Sequence, residues 1–534
     1  MKNNLAIAFI ILACAFFYAL TLRGAPGNPQ PKDFKGSLDR PTKPLELSPE
    51  RGRFATVLAL GEYGTTELGQ TLADAVYPDV GYMEGKFYSF FAPGLAYLVL
   101  PAYLFGRLFN LSQVFTFAAI SVFAILSSLF LYRVARDILK LSIRASVFAV
   151  FVFAFATTSW SYAITLYQHF ATTLLMLSAF YAAWKYRQGM LCETPARLGW
   201  LWAAWIWLAY GFSITIDYPN AVLLLPIMVY FLYSSVILKR EDGRNFGFSL
   251  RPAFLLTVPL FLVVAFWQGY YNQNNFGDWK KLNGQLADYP NIKQEQLVAG
   301  TDAERVAEQL SGRKGLESFF HESNIPRSFY VLTVSSERGL FFFSPILLLA
   351  FLGIYRLRRQ MKQETKVLLA LAAVNVLLYS SWGDPWGGWA YGPRYLIPTM
   401  AILPLFVSVA VFGSKGKIWP KLAVVPLLVY SSAVALLGAL VTNSVPSKME
   451  AVTLPLRYYN YLFNIYLLRR GENGSFIYNT YLSGKMGLVE YYFIIFGVLM
   501  IIMLMILFWP RMKPLYPKQK ISENHNLRYK FVIW

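Results

Sequence analysis

"DPWGGWAYGPRYLIP", residues 384–398, lies between two strongly apolar stretches, 367–382 and 395–412. It gathers an acid, a base, three glycines, two tryptophans and two tyrosines where the surrounding chain carries almost no charge. Of the 534 residues, 56% are hydrophobic, 17% aromatic and only 15% charged. That balance is too apolar for an ordinary soluble protein and places the chain among membrane proteins. Broken polar backbone at membrane depth is tolerated only where protein or a water-filled cavity surrounds it. The segment therefore reads as one wall of a polar cavity, and Gly387, Gly388 and Gly392 let backbone approach a ligand closely.

Working outward, apolar runs long enough to cross a bilayer as helices recur at 4–22, 113–132, 145–161, 168–184, 199–216, 220–238, 250–268, 339–356, 367–382, 395–412, 421–441 and 487–509. The first reads as an uncleaved span, because its only leading charge is Lys2 and the apolar run continues past Cys14. Cys14 and Cys192 both lie in or beside apolar runs and imply neither a disulfide framework nor a cysteine metal site. Short basic loops test the list: Arg133 to Arg144, Lys185 to Arg197, Lys239 to Arg251, Arg356 to Lys366, Lys415 to Lys421, and the tail from Arg511 to Lys520. With a cytoplasmic N-terminus and these twelve spans, every cluster falls on the cytoplasmic side of a cell (inner) membrane. The net charge of +20 thus belongs to loops that orient spans and meet anionic lipid. With no basic stripe on a soluble domain, nucleic acid is not a partner.

The same charge rule requires that "FAPGLAYLVLPAYLFGRLF", 91–109, not cross fully. It is expected to be an interfacial or half-inserted helix on the outer face, broken by Pro93 and Pro101. Three outer segments are long: 23–112, 269–338 and 442–486. A short surface helix is expected over 302–320, and 454–470 is amphipathic. The expected organisation is a transmembrane module over 1–412 containing the first two of these segments, C-terminal helices over 413–510 with the third, and a basic cytoplasmic tail over 511–534.

Unusual polar residues cluster on the outer side: Ser159 to Phe170, Thr215 to Asn220, Glu337 to Pro345, and the opening segment. Ionisable groups near bilayer depth are costly and usually line a cavity or a pairing site. Asp217, Glu337, Asp384, Trp389 and Tyr391 are candidate cavity-lining residues. Each has a plainer role open to it. Asp384 can cap a helix or pair with Arg394, the tryptophans can form an interfacial belt, and Glu337–Arg338 can be an ordinary surface pair. With His169, His321 and His525 as the chain's only histidines, no histidine metal cluster can form. The first outer segment supplies acids, Glu50, Glu62, Glu67, Asp74, Asp79 and Glu84, any of which can serve as a general base.

In order, "SPERGRFATVLALGEYGTTEL", "PDVGYMEGKFYSFFAPGLAYLVLPAYLFG", "LYQHF", "DYP", "SSERGLFFFSP" and "GDPWGGWAYGPRYL" resemble the GT-C superfamily of integral membrane glycosyltransferases. The likeness is nearest the protein mannosyltransferase and aminoarabinose transferase types and bacterial members. It runs through about residue 400. It implies an all-α polytopic membrane protein, a bundle of about twelve transmembrane helices with surface helices in the long first outer loop. It further implies an inverting transfer of a sugar from a polyprenyl-phosphate donor to an envelope glycan, lipid or protein acceptor at the outer face. By position, Glu50 and Asp79 match the family acids and would supply the catalytic base. Arg394 and Arg338 would hold donor phosphate, with Lys86 and His169 nearby. The likeness assigns no certain cofactor and leaves room for a divalent cation. The chain departs from the pattern at Phe91, where relatives carry a lysine before Pro93-Gly94. Two other classes compete. A transporter or flippase would show internal repeats and polar groups near mid-span, neither of which is evident. A non-catalytic membrane scaffold would tolerate the missing lysine.

Overall fold

The computed structural model of the chain describes residues 2–34, 45–191, 196–241, 245–288, 319–413 and 419–508. The tail over 511–534 and all but the last two residues of the surface helix expected at 302–320 lie outside the described residues. The protein is a helical membrane bundle. Among the described residues, seven helices are long and apolar enough to cross a membrane: Asn3–Thr21, Ser112–Ile138, Leu198–Ile216, Pro252–Phe276, Arg394–Phe412, Lys421–Leu440 and Leu488–Phe508. The other expected spans coincide with helices that are shorter, interrupted or more polar. They are Ile143–Phe155, His169–Leu191, Asn220–Leu223 with Leu225–Ser235, a broken run from Leu340 to Leu357, and Gln363–Ser380.

Local chemistry sets the elements that build the site. Helix α1 (Lys2–Thr21) is followed by the first outer segment, which carries α2 (Ser48–Tyr63) and α3 (Gln70–Val76). Pro49 in its first turn and Gly64 in the left-handed conformation at its end bound α2. Strands β1 (Val80–Met83) and β2 (Lys86–Ser89) form a hairpin around Glu84-Gly85. Both turn residues have positive φ, 46° and 81°, the geometry of a tight two-residue turn in which Gly85 is at no cost. Helix α4 (Gly94–Leu108) then leads to α5 (Ser112–Arg133). The basic loop after Ser235 is a second hairpin, β3 (Val236–Glu241) with β4 (Asn245–Leu250). Strand β5 (Ala287–Asp288), from the second outer segment, pairs with β1 and so ties the two outer segments together.

Pro101 does not break α4, which runs through it, while Pro93 stands at the helix N-cap; the broken helix expected at 91–109 is a continuous one of 15 residues. Both ends of α4 lie at one end of the bundle. Gly94 packs against Thr215 at the end of the 196–216 helix. The Arg107 carbonyl accepts from Asn28, a few residues past α1, at 3.2 Å. The loops at this end are sewn together: Arg23 N–H donates to Ile164, Phe476 N–H to Leu22, Asn443 to the Ser161 carbonyl and Ala390 N–H to Val445. The basic loops are joined at the other end, where Arg187 pairs with Glu364 at 3.9 Å, Arg356 donates to the Ala410 carbonyl, and Arg144 stacks on Phe412.

Candidate active site

At the polar end a cavity of about 1550 Å³ opens among the start of α2, the residues around β1 and β2, the 216–222 turn, the glycine-rich segment 384–395, and residues 282–285, 319–320, 379–382 and 444–450. Asp79, which precedes β1, faces it. Ser48 Oγ donates to Asp79 Oδ2 at 2.6 Å. Burial raises the Asp79 pKa from its ordinary carboxylate value. The Ser48 hydrogen bond and the charges of Arg394, Arg53 and Arg51 oppose that rise. Asp217 lines the same cavity, accepting from Gln168 at 3.0 Å and from the Tyr379 hydroxyl at 3.4 Å. Its pKa is also raised by burial, against the hydrogen bond from Gln168 and the charge of Arg53.

Three arginines, Arg51, Arg53 and Arg394, line the cavity. Arg394 is 8% exposed, and its Nε and Nη1 have no hydrogen-bond partner among the described residues. Its guanidinium lies between the rings of Tyr167 and Tyr395, 5.2 and 5.4 Å from their centroids. Tyr395 in turn stacks on Tyr379 at 4.5 Å. Gly387 is required here: its φ is +68°, and a Cβ would sit 2.9 Å from Arg394 Nε. Arg53 donates to the Pro49 carbonyl and lies 3.9 Å over the Phe91 ring. Burial lowers its pKa to about 10, which still leaves it charged at neutral pH. Phe91, the departure noted in the sequence, is thus the platform for another cation.

Other residues singled out in the sequence sit differently. Glu50 is the third residue of α2 and reaches back to accept from Leu47 N–H at 3.3 Å. It also accepts from the Thr165 hydroxyl, is 1% exposed, and stands behind the cavity wall. Arg338 is fully buried and donates to four backbone carbonyls, those of Trp386, Glu337, Gly388 and Val445. It braces the glycine-rich segment from behind, so its expected contact with donor phosphate does not fit this geometry. Lys86 pairs with Glu67 at 3.3 Å on an exposed face of the hairpin, outside the cavity lining, and does not fit that role either. His169 is buried against Tyr167, and its Nε2 has no partner among the described residues. It does not line the cavity.

Asp384 lines the rim and accepts the N–H groups of Trp386 and Gly388, so it holds its own turn and makes no ion pair with Arg394 among the described residues. Trp389 lines the cavity with its indole N–H held by Glu450. Two expected lining residues are set back from it. The Tyr391 hydroxyl donates to Val434 in the core, and Glu337 accepts from the Trp386 indole and from Lys448 N–H.

The sequence reading missed Glu46 and Arg53 as cavity residues. Glu46 is 1% exposed at its side chain. Its Oε2 pairs with Arg23 at 2.8 Å and accepts from the Thr442 hydroxyl and Asn443 N–H. Burial, reinforced by Glu50 and opposed by Arg23, raises its pKa to about 7. No signal at 46 pointed to this: Thr442 and Asn443 lie almost 400 residues away, and Arg23 stands 23 residues earlier with nothing in the sequence to join the two. Arg53 was visible only as part of the family-like motif. Among the described residues, no group of three or more His, Cys, Asp or Glu side chains is placed to hold a metal ion.

Comparison with solved structures finds a similar fold in ArnT from Cupriavidus metallidurans. ArnT from Cupriavidus metallidurans bound to undecaprenyl phosphate superposes with a TM-score of 0.50 at 14% identity, over 94% of this chain and 76% of that one. The apo state of the same protein gives 0.47 at 13% identity, over 95% and 77%. The archaeal oligosaccharyltransferase AglB from Archaeoglobus fulgidus, in complex with an inhibitory peptide and a dolichol-phosphate, gives 0.43 at 12% identity, over 99% and 62%. No family model and no curated protein matches the chain. At these identities the likeness is one of fold.

Proposed function

We propose that this protein is an inverting glycosyltransferase that moves a sugar from a polyprenyl-phosphate donor to an envelope acceptor on the outer face of the membrane. One observation carries the reading: a buried carboxylate, Asp79, and a buried guanidinium with unsatisfied N–H groups, Arg394, share one cavity without pairing with each other. Their charges interact, and no ion pair joins them among the described residues. In the reaction, Asp79 takes the proton of the acceptor hydroxyl as its oxygen bonds to the anomeric carbon. The bond from that carbon to the donor phosphate oxygen breaks on the opposite side. The electron pair leaves with the polyprenyl phosphate, whose charge Arg394 and Arg53 hold. The fold likeness to ArnT, whose bound ligand is undecaprenyl phosphate, supports such a donor. Basic loops at the opposite end of the bundle support a cytoplasmic placement of that end and an outward-facing cavity.

The experiment is mass spectrometry of lipids that copurify with the wild-type, Asp79→Asn and Arg394→Ala proteins. A polyprenyl phosphate should accompany the first two and be lost from the third. Its absence from the wild-type protein, or its retention by Arg394→Ala, overturns the proposal.

A further inference from the structure

Glu46, like Asp217, is a cavity carboxylate that the reaction above does not use. Two hydrogen bonds, from the Thr442 hydroxyl and Asn443 N–H, and an ion pair with Arg23 fix its Oε2. Its Oε1 is buried and has no partner among the described residues, although Glu46 lines the cavity. A carboxylate clamped by one oxygen presents the other in a fixed direction, and leaving that oxygen unsatisfied is costly unless a ligand fills the site. The charges that act on Glu46 are Arg23 and Glu50, whereas those that act on Asp79 are Arg394, Arg53 and Arg51. The Glu46 carboxylate is thus engaged by Arg23, not by Arg394 or Arg53, although Arg51 donates to its backbone carbonyl at 2.9 Å.

The neighbouring wall comes from the third outer segment, through Ser444 and Glu450, and from Trp389. Glu450 accepts the Trp389 indole N–H, and the Trp389 side chain lines the cavity. An aromatic ring and an unsatisfied hydrogen-bond acceptor lining one cavity suit a pyranose, whose C–H face packs on the indole while a hydroxyl reaches the acceptor. We infer that Glu46 and Trp389 form the acceptor subsite and that the acceptor is a saccharide, one hydroxyl of which donates to Glu46 Oε1. The inference rests on the transferase reading and narrows its acceptor to a glycan.

The test is an array of cell-envelope oligosaccharides probed with the full-length protein in lipid nanodiscs, alongside a titration with a polyprenyl monophosphate. The wild-type protein should bind at least one oligosaccharide. Glu46→Gln and Trp389→Ala should each weaken that binding at least about tenfold, the loss of one charge-assisted hydrogen bond or one ring face. Trp389→Ala leaves the Arg23 ion pair intact, so it tests the subsite independently of folding around Glu46. Both variants should keep the polyprenyl phosphate affinity that Arg394→Ala loses. Absence of any saccharide binding, or binding that both variants leave unchanged, overturns the acceptor inference while donor binding still stands. Retention of polyprenyl phosphate by Arg394→Ala instead overturns the transferase reading beneath it.

Discussion

Arg394 offers the sharpest test because its free valences can be counted. Its Nε and Nη1 are buried and unpaired among the described residues, and the rings of Tyr167 and Tyr395 hold the guanidinium in place. A donor phosphate would accept from both nitrogens. Each charge-assisted hydrogen bond is worth about 1.5–3 kcal/mol, so losing both costs roughly 3–6 kcal/mol. At about 1.4 kcal/mol per tenfold, Arg394→Ala should weaken polyprenyl monophosphate binding by roughly 10²–10⁴-fold. Arg394→Lys keeps the charge but not the planar fork and should fall between the two. The assay is titration of nanodisc-embedded protein with the lipid, followed by native mass spectrometry. Because the group is buried, the difference should persist at high salt, whereas a surface charge effect would fade. Lys86→Ala, which removes an exposed charge already paired with Glu67, should leave the affinity as it is. Wild-type affinity in Arg394→Ala, or a loss in Lys86→Ala of the same size, refutes the reasoning.

The remaining predictions follow from the groups around that site. Asp79→Asn should cut the transfer rate by about 10²–10⁴-fold in a single-turnover assay, the usual contribution of a general base, while leaving donor affinity intact. In the wild-type enzyme the rate should rise with pH through a limb above the ordinary aspartate range, since burial raises the Asp79 pKa. Arg338→Met should lower the thermal midpoint sharply, because it strands four backbone carbonyls at about 1–3 kcal/mol each; any protein that remains folded should still bind donor phosphate. Glu46 has a folded pKa near 7 against 4.5 when unfolded, so the folded state holds its proton more tightly. The resulting stabilisation is full below the unfolded value and is lost as pH rises through about 7. The wild-type melting temperature should therefore fall between pH 5 and pH 8, and Glu46→Gln should flatten that decline.

What the sequence disclosed and what it concealed divide along a physical line. Spans and loops are local properties, written in runs of apolar residues and clusters of Lys and Arg, so helices appear at every expected run and the polar segments gather at one end. Single-residue roles depend on contacts across hundreds of positions. Arg338 and Arg394 look alike in sequence, each beside a glycine or proline at an outer turn. Only the packed backbone separates them: carbonyls of Trp386, Gly388 and Val445 saturate Arg338, while Arg394 rests against the rings of Tyr167 and Tyr395 with its Nε and Nη1 unpaired among the described residues. Glu50 and Glu46 repeat the lesson one helical turn apart. Glu50 falls at the third position of α2 and is drawn into its cap, whereas Glu46 precedes the helix and is free to meet Arg23 and Asn443. Phe91 shows how substitution is read through its neighbours. Taken alone, it removes a cation from the family-like motif. In the folded protein it supports Arg53 at 3.9 Å, so positive charge at that wall is supplied from α2. The cavity so lined brings Arg53 and Arg394 together with the carboxylates of Asp79 and Glu46, the two kinds of charge that the proposed sugar transfer calls for.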